Sequence, residues 1–497
     1  MVPDAVALRQ GGSALTYRQL ADRVDALAAG LASLGVSKGD RVAYLGVNDI
    51  ATFETLFATG RLGAIFVPLN TRLAGTEIAD LLADCGARVL VHGSETALLV
   101  AEADPIGCGV QSVVSVEKDY ATLIGGFGAF TETEVALDDP ALILYTSGTT
   151  GRPKGAVLTH GNLTFNTMNQ LAHVDVLGSD IVLCTAPLFH AVGLGQVTLP
   201  TLFKGGTVVL TPKFDPAWML ATIADLRITA FSAVPTMMQM LCDHSDWAGA
   251  DLSSLRYVIY GGSPVLERVA TAWLDRGVDV LQGYGMTEAA PGVFLSLPEG
   301  SAMRPTSAGV QHFFTDVALL GSDGVAAVPP GTGEVLVTGP NVFAGYWQRP
   351  KETADALVDG WFRTGDLGRV DDDGWAYIID RVKDVIISGG ENIYPAEVEA
   401  VLAQLPQVAE CAVVGVPDER WGEVGLAYIA ARSDSPLDEA TVRTHLETRL
   451  AKFKRPHYIR FVETLPRTAT GKLMKAALRA DFKESVTESP VAASERR

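Results

Sequence analysis

Residues 145–155 read YTSGTTGRPKG, between a strand-like ALIL at 141–144 and AVLTHGNL at 156–163, which looks like the approach to a helix. Glycines and small hydroxylated residues let backbone N–H groups and hydroxyls close on phosphate oxygens, and Lys154 supplies positive charge. Thr146, Ser147, Gly148, Thr149, Thr150, Gly151 and Lys154 are therefore the candidates for a phosphate cradle. The G-x-x-x-x-G-K-[ST] spacing of a Walker A loop is absent. On composition alone a Gly-rich surface loop is an equal reading; the length of the run and the AVLTHGNL stretch behind it favour the cradle.

Outward from this loop, up to about residue 380, β-rich apolar runs alternate with amphipathic helical stretches, as βα units around largely parallel sheets do. YRQLADRVDALAAGLASLG (17–35) reads as a helix ended by Gly35, RVAYLG (41–46) as a buried strand, and FETLFATGRLGAIFVPLN (53–70) repeats helix then strand. From 309 to 347 the texture shifts to short strands broken by Gly and Pro, which suggests antiparallel hairpins. After Asp380 comes a smaller unit: helix VEAVLAQLPQ, strands AECAVVGV and LAYIAARS, helix EATVRTHLETRLAKF and strand YIRFVE. The expected fold class is α/β, with a large N-terminal domain over 1–380 of largely parallel sheets flanked by helices plus a β-hairpin-rich subdomain. A small α+β C-terminal domain over 381–483 and a polar tail over 484–497 complete it. At 497 residues the chain is too long for one simple core.

The formal net charge is -19, from 58 acidic against 39 basic residues, which disfavours nucleic acid or an anionic lipid surface as a partner and leaves small molecules. Cys85, Cys108, Cys184, Cys242 and Cys411 lie far apart with no Cys-x-x-Cys pair and no His cluster at zinc spacing, so they read as reduced core thiols of a cytoplasmic protein. No apolar stretch is long enough to span a bilayer, so no integral membrane segment is expected, and the N-terminus lacks the features of a signal peptide. Asp371, Asp372, Asp373 and Gly374 resemble the start of a calcium loop, but the later ligands are missing and the run reads as a hairpin turn.

Further motifs lie downstream: APLFHAVGL (186–194), YGGSP (260–264), QGYGMTEAAPG (282–292), GWFRTGDLG (360–368), DRVKDVIISGGENIYPAEVE (380–399) and PRTATGK (466–472). Together with YTSGTTGRPKG, and in this order, they resemble the adenylate-forming superfamily of acyl- and aryl-CoA synthetases, luciferases and peptide-synthetase adenylation domains. The resemblance covers nearly the whole chain and is nearest to bacterial feruloyl-CoA synthetases and fatty acyl-CoA ligases.

It implies an enzyme that uses ATP, Mg²⁺ and coenzyme A to activate a carboxylic acid as an acyl-adenylate and pass it to a thiol. Glu288 matches the magnesium-coordinating carboxylate and Thr287 the hydroxyl on the α-phosphate, while Gly283, Tyr284, Gly285 and Met286 belong to the nucleotide motif. Tyr284 would lie on or beside the adenine, with Gly261, Gly262 and Ser263 as a flat surface for the base. Asp366 matches the residue that takes the ribose hydroxyls, and Arg381 would hold the ribose or phosphate side. Lys472 matches a mobile lysine that bridges the attacking carboxylate and the α-phosphate. The small domain is implied to be mobile, with Lys383 at its hinge and Ser388, Gly389 and Gly390 turning in to line the pantetheine tunnel.

His190 falls at the acyl-pocket gate, with Val192, Gly193 and Gln196 beyond it. No carboxylate is evident there to pair with an amino acid's ammonium, nor an arginine for a second carboxylate. The pocket reads as neutral and largely apolar, with no group that must hydrogen-bond the substrate, so discrimination among apolar acids is expected to be weak. A 4-hydroxycinnamate such as ferulate is the expected acid. The alternatives are a medium- or long-chain fatty acid, and loading of a carrier protein in place of coenzyme A.

Overall fold

The computed structural model describes residues 2–125, 130, 132–146, 153–261, 267–321, 323–388, 391–418, 420–432, 436–467 and 473–487. Among them the strands form four sheets. In a seven-stranded sheet the order is Gly345–Tyr346, Lys154–Thr159, Pro140–Thr146, Ile65–Leu69, Arg41–Leu45, Val89–His92 and Ser112–Ser115. Its central strands run parallel and only the 140–159 hairpin and the Gly345–Tyr346 edge are antiparallel. Ile65–Leu69 is buried along its whole length, as a strand covered on both faces must be, which is why it reads as a continuous apolar run.

A nine-stranded sheet carries Tyr257–Gly261 and Asp279–Gly285 side by side and parallel, with antiparallel Gly292–Leu295 next in order. One apolar cluster joins Val42 and Phe66 of the first sheet to Leu8, Val182 and Ile259 of the second, so the two sheets share a core with helices between them. The helix Tyr17–Ser33 shows how the sequence builds that layer. Leu20, Val24, Leu27 and Leu31 recur at spacings of four and three and are all buried. Thr16 accepts from the Gln19 backbone N–H while the Gln19 side chain accepts from the Thr16 N–H, a capping box contributing about 1 kcal/mol. Gly35 then takes φ +84°, open to glycine, and ends the run.

The stretch after 309 forms the antiparallel hairpins expected of it, in a six-stranded sheet that includes Asp316–Leu320, Gly331–Thr338, Trp361–Val370 and Ala376–Arg381. The Asp371–Gly374 run is the turn of the last hairpin. Asp371 Oδ1 accepts from the N–H groups of Asp373 and Trp375, and Gly374 takes φ +83°. The chain leaves this sheet at Arg381, passes a short turn at Val382–Asp384, and enters the fourth, five-stranded sheet at Ile386–Ser388. That sheet, with helices Pro395–Leu402, Glu439–Glu447 and Lys475–Thr487, is the small C-terminal domain.

Three expectations need correction. The helix read over VEAVLAQLPQ begins at Pro395 and stops at Leu402. The helix read over EATVRTHLETRLAKF stops at Glu447; Ala451 turns to ψ 148° and Lys452–Lys454 forms a separate turn ahead of Pro456. Of the five cysteines, Cys85 and Cys184 are buried, but Cys108, Cys242 and Cys411 are only half-buried.

Candidate active site

Thr146 and Lys154 face each other as the last antiparallel pair of the 140–159 hairpin, whose tip is the phosphate-loop motif. Lys154 does not stand alone. Its Nζ lies 5.1 Å from the ring centroid of Tyr346, on the strand Gly345–Tyr346 that pairs with Ala156 and Val157. The Tyr346 hydroxyl donates to Glu288 Oε1 at 2.8 Å. Burial and the neighbouring carboxylate push the Tyr346 phenol well above its ordinary pKa, so it remains a donor. A candidate phosphate lysine and a candidate metal carboxylate, 134 residues apart by their numbers, are thus joined through one tyrosine.

Glu288 sits in the turn Thr287–Ala289, just past the C-terminal end of strand Asp279–Gly285 and inside a tight return to Gly292–Leu295. The Met286 N–H donates to the Pro291 carbonyl at 3.0 Å, and a Cβ on Gly285 would stand 1.7 Å from that same oxygen, so only glycine closes the loop. Buried asparagines hold it. Asn341 donates to the carbonyls of Ala289 (3.0 Å) and Gly292 (2.9 Å), and Asn166 accepts from the Gly292 N–H while donating to Gly195. Behind the loop, His312 packs edge-on to His173 at 4.8 Å, and burial lowers its pKa to about 3. Loops at the C-terminal ends of parallel strands are where α/β sheets present ligands.

Asp366 is almost fully buried at the middle of a second arrangement. Its Oδ2 accepts from the Tyr284 hydroxyl at 2.6 Å and its Oδ1 pairs with Arg381 Nε at 2.6 Å. The Tyr284 phenol is likewise pushed up by burial and by Asp366. Arg381 ends the strand Ala376–Arg381 and is the register partner of Asp366, so the pairing comes directly from the hairpin. Each carboxylate oxygen has more than one lone-pair direction, so Asp366 can still accept from a ligand hydroxyl.

On the acyl side, buried Asn48 accepts from the Leu188 N–H (2.9 Å) and donates to the Ala186 carbonyl (3.0 Å), fixing the turn that leads to His190. His190 caps the short helix Ala191–Gly195 and meets Phe189 edge-on at 4.7 Å. Val192 is half-buried on that helix. The space a side chain at Gly193 would need is taken by the Pro187 carbonyl, 2.3 Å from the Cβ position, so this glycine serves the turn itself. Gln196, at the helix end, is buried, with its Nε2 only 3.2 Å from a Cβ position on Gly283 and 3.8 Å from that on Gly261. The acyl-side helix and the nucleotide-side glycines therefore meet.

Lys383 is exposed in the turn between the third and fourth sheets, flanked by two anchored acids: Asp380 accepts from the Ala396 N–H at 2.9 Å and Asp384 pairs with Arg479 at 2.6 Å. Ser388 is buried and pairs with Gly422. Ser147, Gly148, Thr149, Thr150, Gly151, Gly262, Ser263, Gly389, Gly390 and Lys472 lie outside the described residues. Tyr346, Asn341, Asn166 and Asn48 are not among the residues that the sequence motifs single out. Tyr346 and Asn341 do lie in GPNVFAGYW, at the end of the hairpin-rich stretch 309–347, which is the one signal that could have drawn attention to them.

The Lys154–Tyr346–Glu288 and Tyr284–Asp366–Arg381 arrangements lie on the α/β and hairpin sheets described above, and comparison with known proteins gives the class. The AMP-binding enzyme family matches residues 1–347 and the AMP-binding enzyme C-terminal domain matches residues 397–472. The chain belongs to the AMP-binding enzymes. It is 51% identical over 484 residues to a feruloyl-CoA synthase of Amycolatopsis sp, covering 97% of each chain. An indoleacetate–CoA ligase of Aromatoleum aromaticum is 42% identical, over 96% of this chain and 95% of that one. The crystal structure of ATP-bound MatB from Rhodopseudomonas palustris superposes with a TM-score of 0.91 at 32% identity, covering 97% of both chains.

Proposed function

We propose that this chain, an acid–CoA ligase, acts on an aromatic carboxylic acid, a 4-hydroxycinnamate such as ferulate, which it activates with ATP and transfers to the thiol of coenzyme A. The single observation that carries the choice of acid is the 51% identity to a feruloyl-CoA synthase over 97% of both chains.

In the first half-reaction an oxygen of the acid attacks the α-phosphorus of ATP; that P–O bond forms as the bond to pyrophosphate breaks and its electrons leave with pyrophosphate. The loop Thr146–Lys154 holds the phosphates, Thr287 donates to the α-phosphate, and Lys472 meets the charge that develops during the attack. Tyr284 and the backbone at Gly261, Gly262, Ser263, Gly283, Gly285 and Met286 take the adenine. Asp366 accepts from the ribose hydroxyls, with Arg381 beside it. Among the described residues no group of three or more His, Cys, Asp or Glu could cage a metal. One positioned carboxylate facing substrate phosphates suits Mg²⁺, and Glu288, held by Tyr346, fits that role. Bound there, Mg²⁺ would neutralise phosphate charge.

In the second half-reaction the thiol attacks the acyl carbon and AMP leaves. The lysine and the thiol need the same space in turn, so the domain at 381–483 rotates against 1–380 about Lys383, and Ser388, Gly389 and Gly390 come to line the pantetheine path. His190 gates the acyl pocket formed with Val192, Gly193 and Gln196. No helix among the described residues is long and apolar enough to cross a membrane. Use of ATP and coenzyme A, together with five unpaired cysteines, supports a cytoplasmic enzyme.

The test is a panel of ferulate, 4-coumarate, indoleacetate and fatty acids of rising chain length with ATP, Mg²⁺ and coenzyme A, reading AMP and thioester. Ferulate or 4-coumarate should rank first. Strong preference for a long saturated chain with ferulate inert overturns the choice of acid, and pyrophosphate release without thioester points to a carrier protein as acceptor.

A further inference from the structure

Gln196 is 7% exposed, and its Oε1 is buried with no hydrogen-bond partner among the described residues. The amide end lies by Gly283, where a Cβ position has Gln196 Nε2 at 3.2 Å and the apolar atoms Leu295 Cδ1 at 3.6 Å and Ile259 Cγ2 at 3.7 Å as its nearest neighbours. Two polar side chains of the same turn are already engaged: Thr198 donates to the Gly193 and Leu194 carbonyls, and Asn166 bridges Gly195 and Gly292. An amide oxygen buried without a partner loses its hydration without compensation, an arrangement that persists where a ligand supplies the missing bond.

We infer that the Gln196 amide hydrogen-bonds a ring hydroxyl of the acid and is the residue that selects hydroxylated aromatic acids over those that lack the hydroxyl. A phenol both donates and accepts, so it satisfies the amide whichever way its O and N are turned. An alkyl chain or an unsubstituted ring would bury the amide and leave it bare. Such a loss rejects the analogue more strongly than one methylene does. The pocket thus contains a hydrogen-bonding group that the sequence alone does not reveal, and weak discrimination gives way to selection. This rests on the proposal that the acid is a hydroxycinnamate.

The experiment compares 4-coumarate with cinnamate, which differ only by the ring hydroxyl, in the full-length enzyme and in Gln196→Leu and Gln196→Met. In the wild type, kcat/KM should favour 4-coumarate by about tenfold to a few hundredfold. In both variants that ratio should fall toward unity. Because each ratio is taken within one preparation, partial folding does not change it, and two side chains of different shape guard against one failing to fold. A wild-type preference for 4-coumarate that survives in the variants overturns the role of Gln196. A wild type inert on both acids overturns instead the hydroxycinnamate reading beneath it.

Discussion

Two acids belong to the candidate nucleotide site from different regions, and their surroundings differ. In the 285–292 loop, Glu288 is held by a tyrosine hydroxyl, and no described cation pairs with it. In the 361–381 hairpin, Asp366 is held by a tyrosine hydroxyl and by Arg381 as well. Both phenols are kept protonated by burial and by the acid they serve. The charge of Asp366 is met within the protein, by the last residue before the turn to the C-terminal domain, whereas no described cation meets the charge of Glu288. On the proposed function, one carboxylate is a fixed acceptor tied to the linker and the other an open ligand.

The sharpest way to break this contrast is to remove each charge while keeping its shape. Glu288→Gln should lower kcat/KM for acid-dependent pyrophosphate exchange by about a hundredfold to a thousandfold, since a charge partner of the reacting phosphates is lost. Exchange at the wild-type rate would mean Glu288 is not the open ligand. Asp366→Asn retains an acceptor for Tyr284 but frees Arg381, and KM for ATP should rise by about tenfold to a hundredfold with a smaller change in the rate of adenylation. Equal damage from the two variants, in the same parameter, would erase the distinction. Tyr346→Phe should cost less, about fivefold to twentyfold in the same exchange assay, because the carboxylate stays but loses its charge-assisted hydrogen bond.

The smallest effect concerns stability. His312 rests against the back of the Glu288 loop: a Cβ on Gly292 would stand 2.7 Å from its Nε2. Its folded pKa of about 3 lies below the ordinary value near 6.5, so the unfolded chain binds the extra proton between those values. The contribution is fully present above about pH 6.5 and is lost as pH falls toward 3. The melting temperature should therefore drop between pH 7 and 4.5, and His312→Gln should flatten that drop; an unchanged slope would exclude the histidine as its source.

Much of this architecture is legible in the sequence. The Thr16–Gln19 cap, the period of Leu20, Val24, Leu27 and Leu31, and the Asp371–Gly374 turn are local, each specified within a few residues of chain. The candidate residues are legible as motifs, not as a constellation. That Lys154 and Glu288 share Tyr346 depends on the two-residue strand Gly345–Tyr346 reaching the edge of the seven-stranded sheet, a pairing with no local signature. Asn341, Asn166 and Asn48 read as ordinary loop or helix residues, because their role lies in distant carbonyls. The helix from Glu439 reads too long, through Phe453, because the apolar period persists past Glu447, where the backbone turns before Pro456. At Gln196 the sequence shows a polar residue, and only burial reveals that its carbonyl is bare.

The most direct test of the central claim tracks one oxygen. Ferulate labelled with heavy oxygen in its carboxylate is turned over with ATP and coenzyme A, and the AMP and pyrophosphate are examined by mass spectrometry. If a carboxylate oxygen attacks the α-phosphorus, that oxygen stays on phosphorus when the thiol displaces AMP, so each AMP carries one label and pyrophosphate carries none. Unlabelled AMP, or label in orthophosphate alongside ADP, would contradict an acyl-adenylate intermediate.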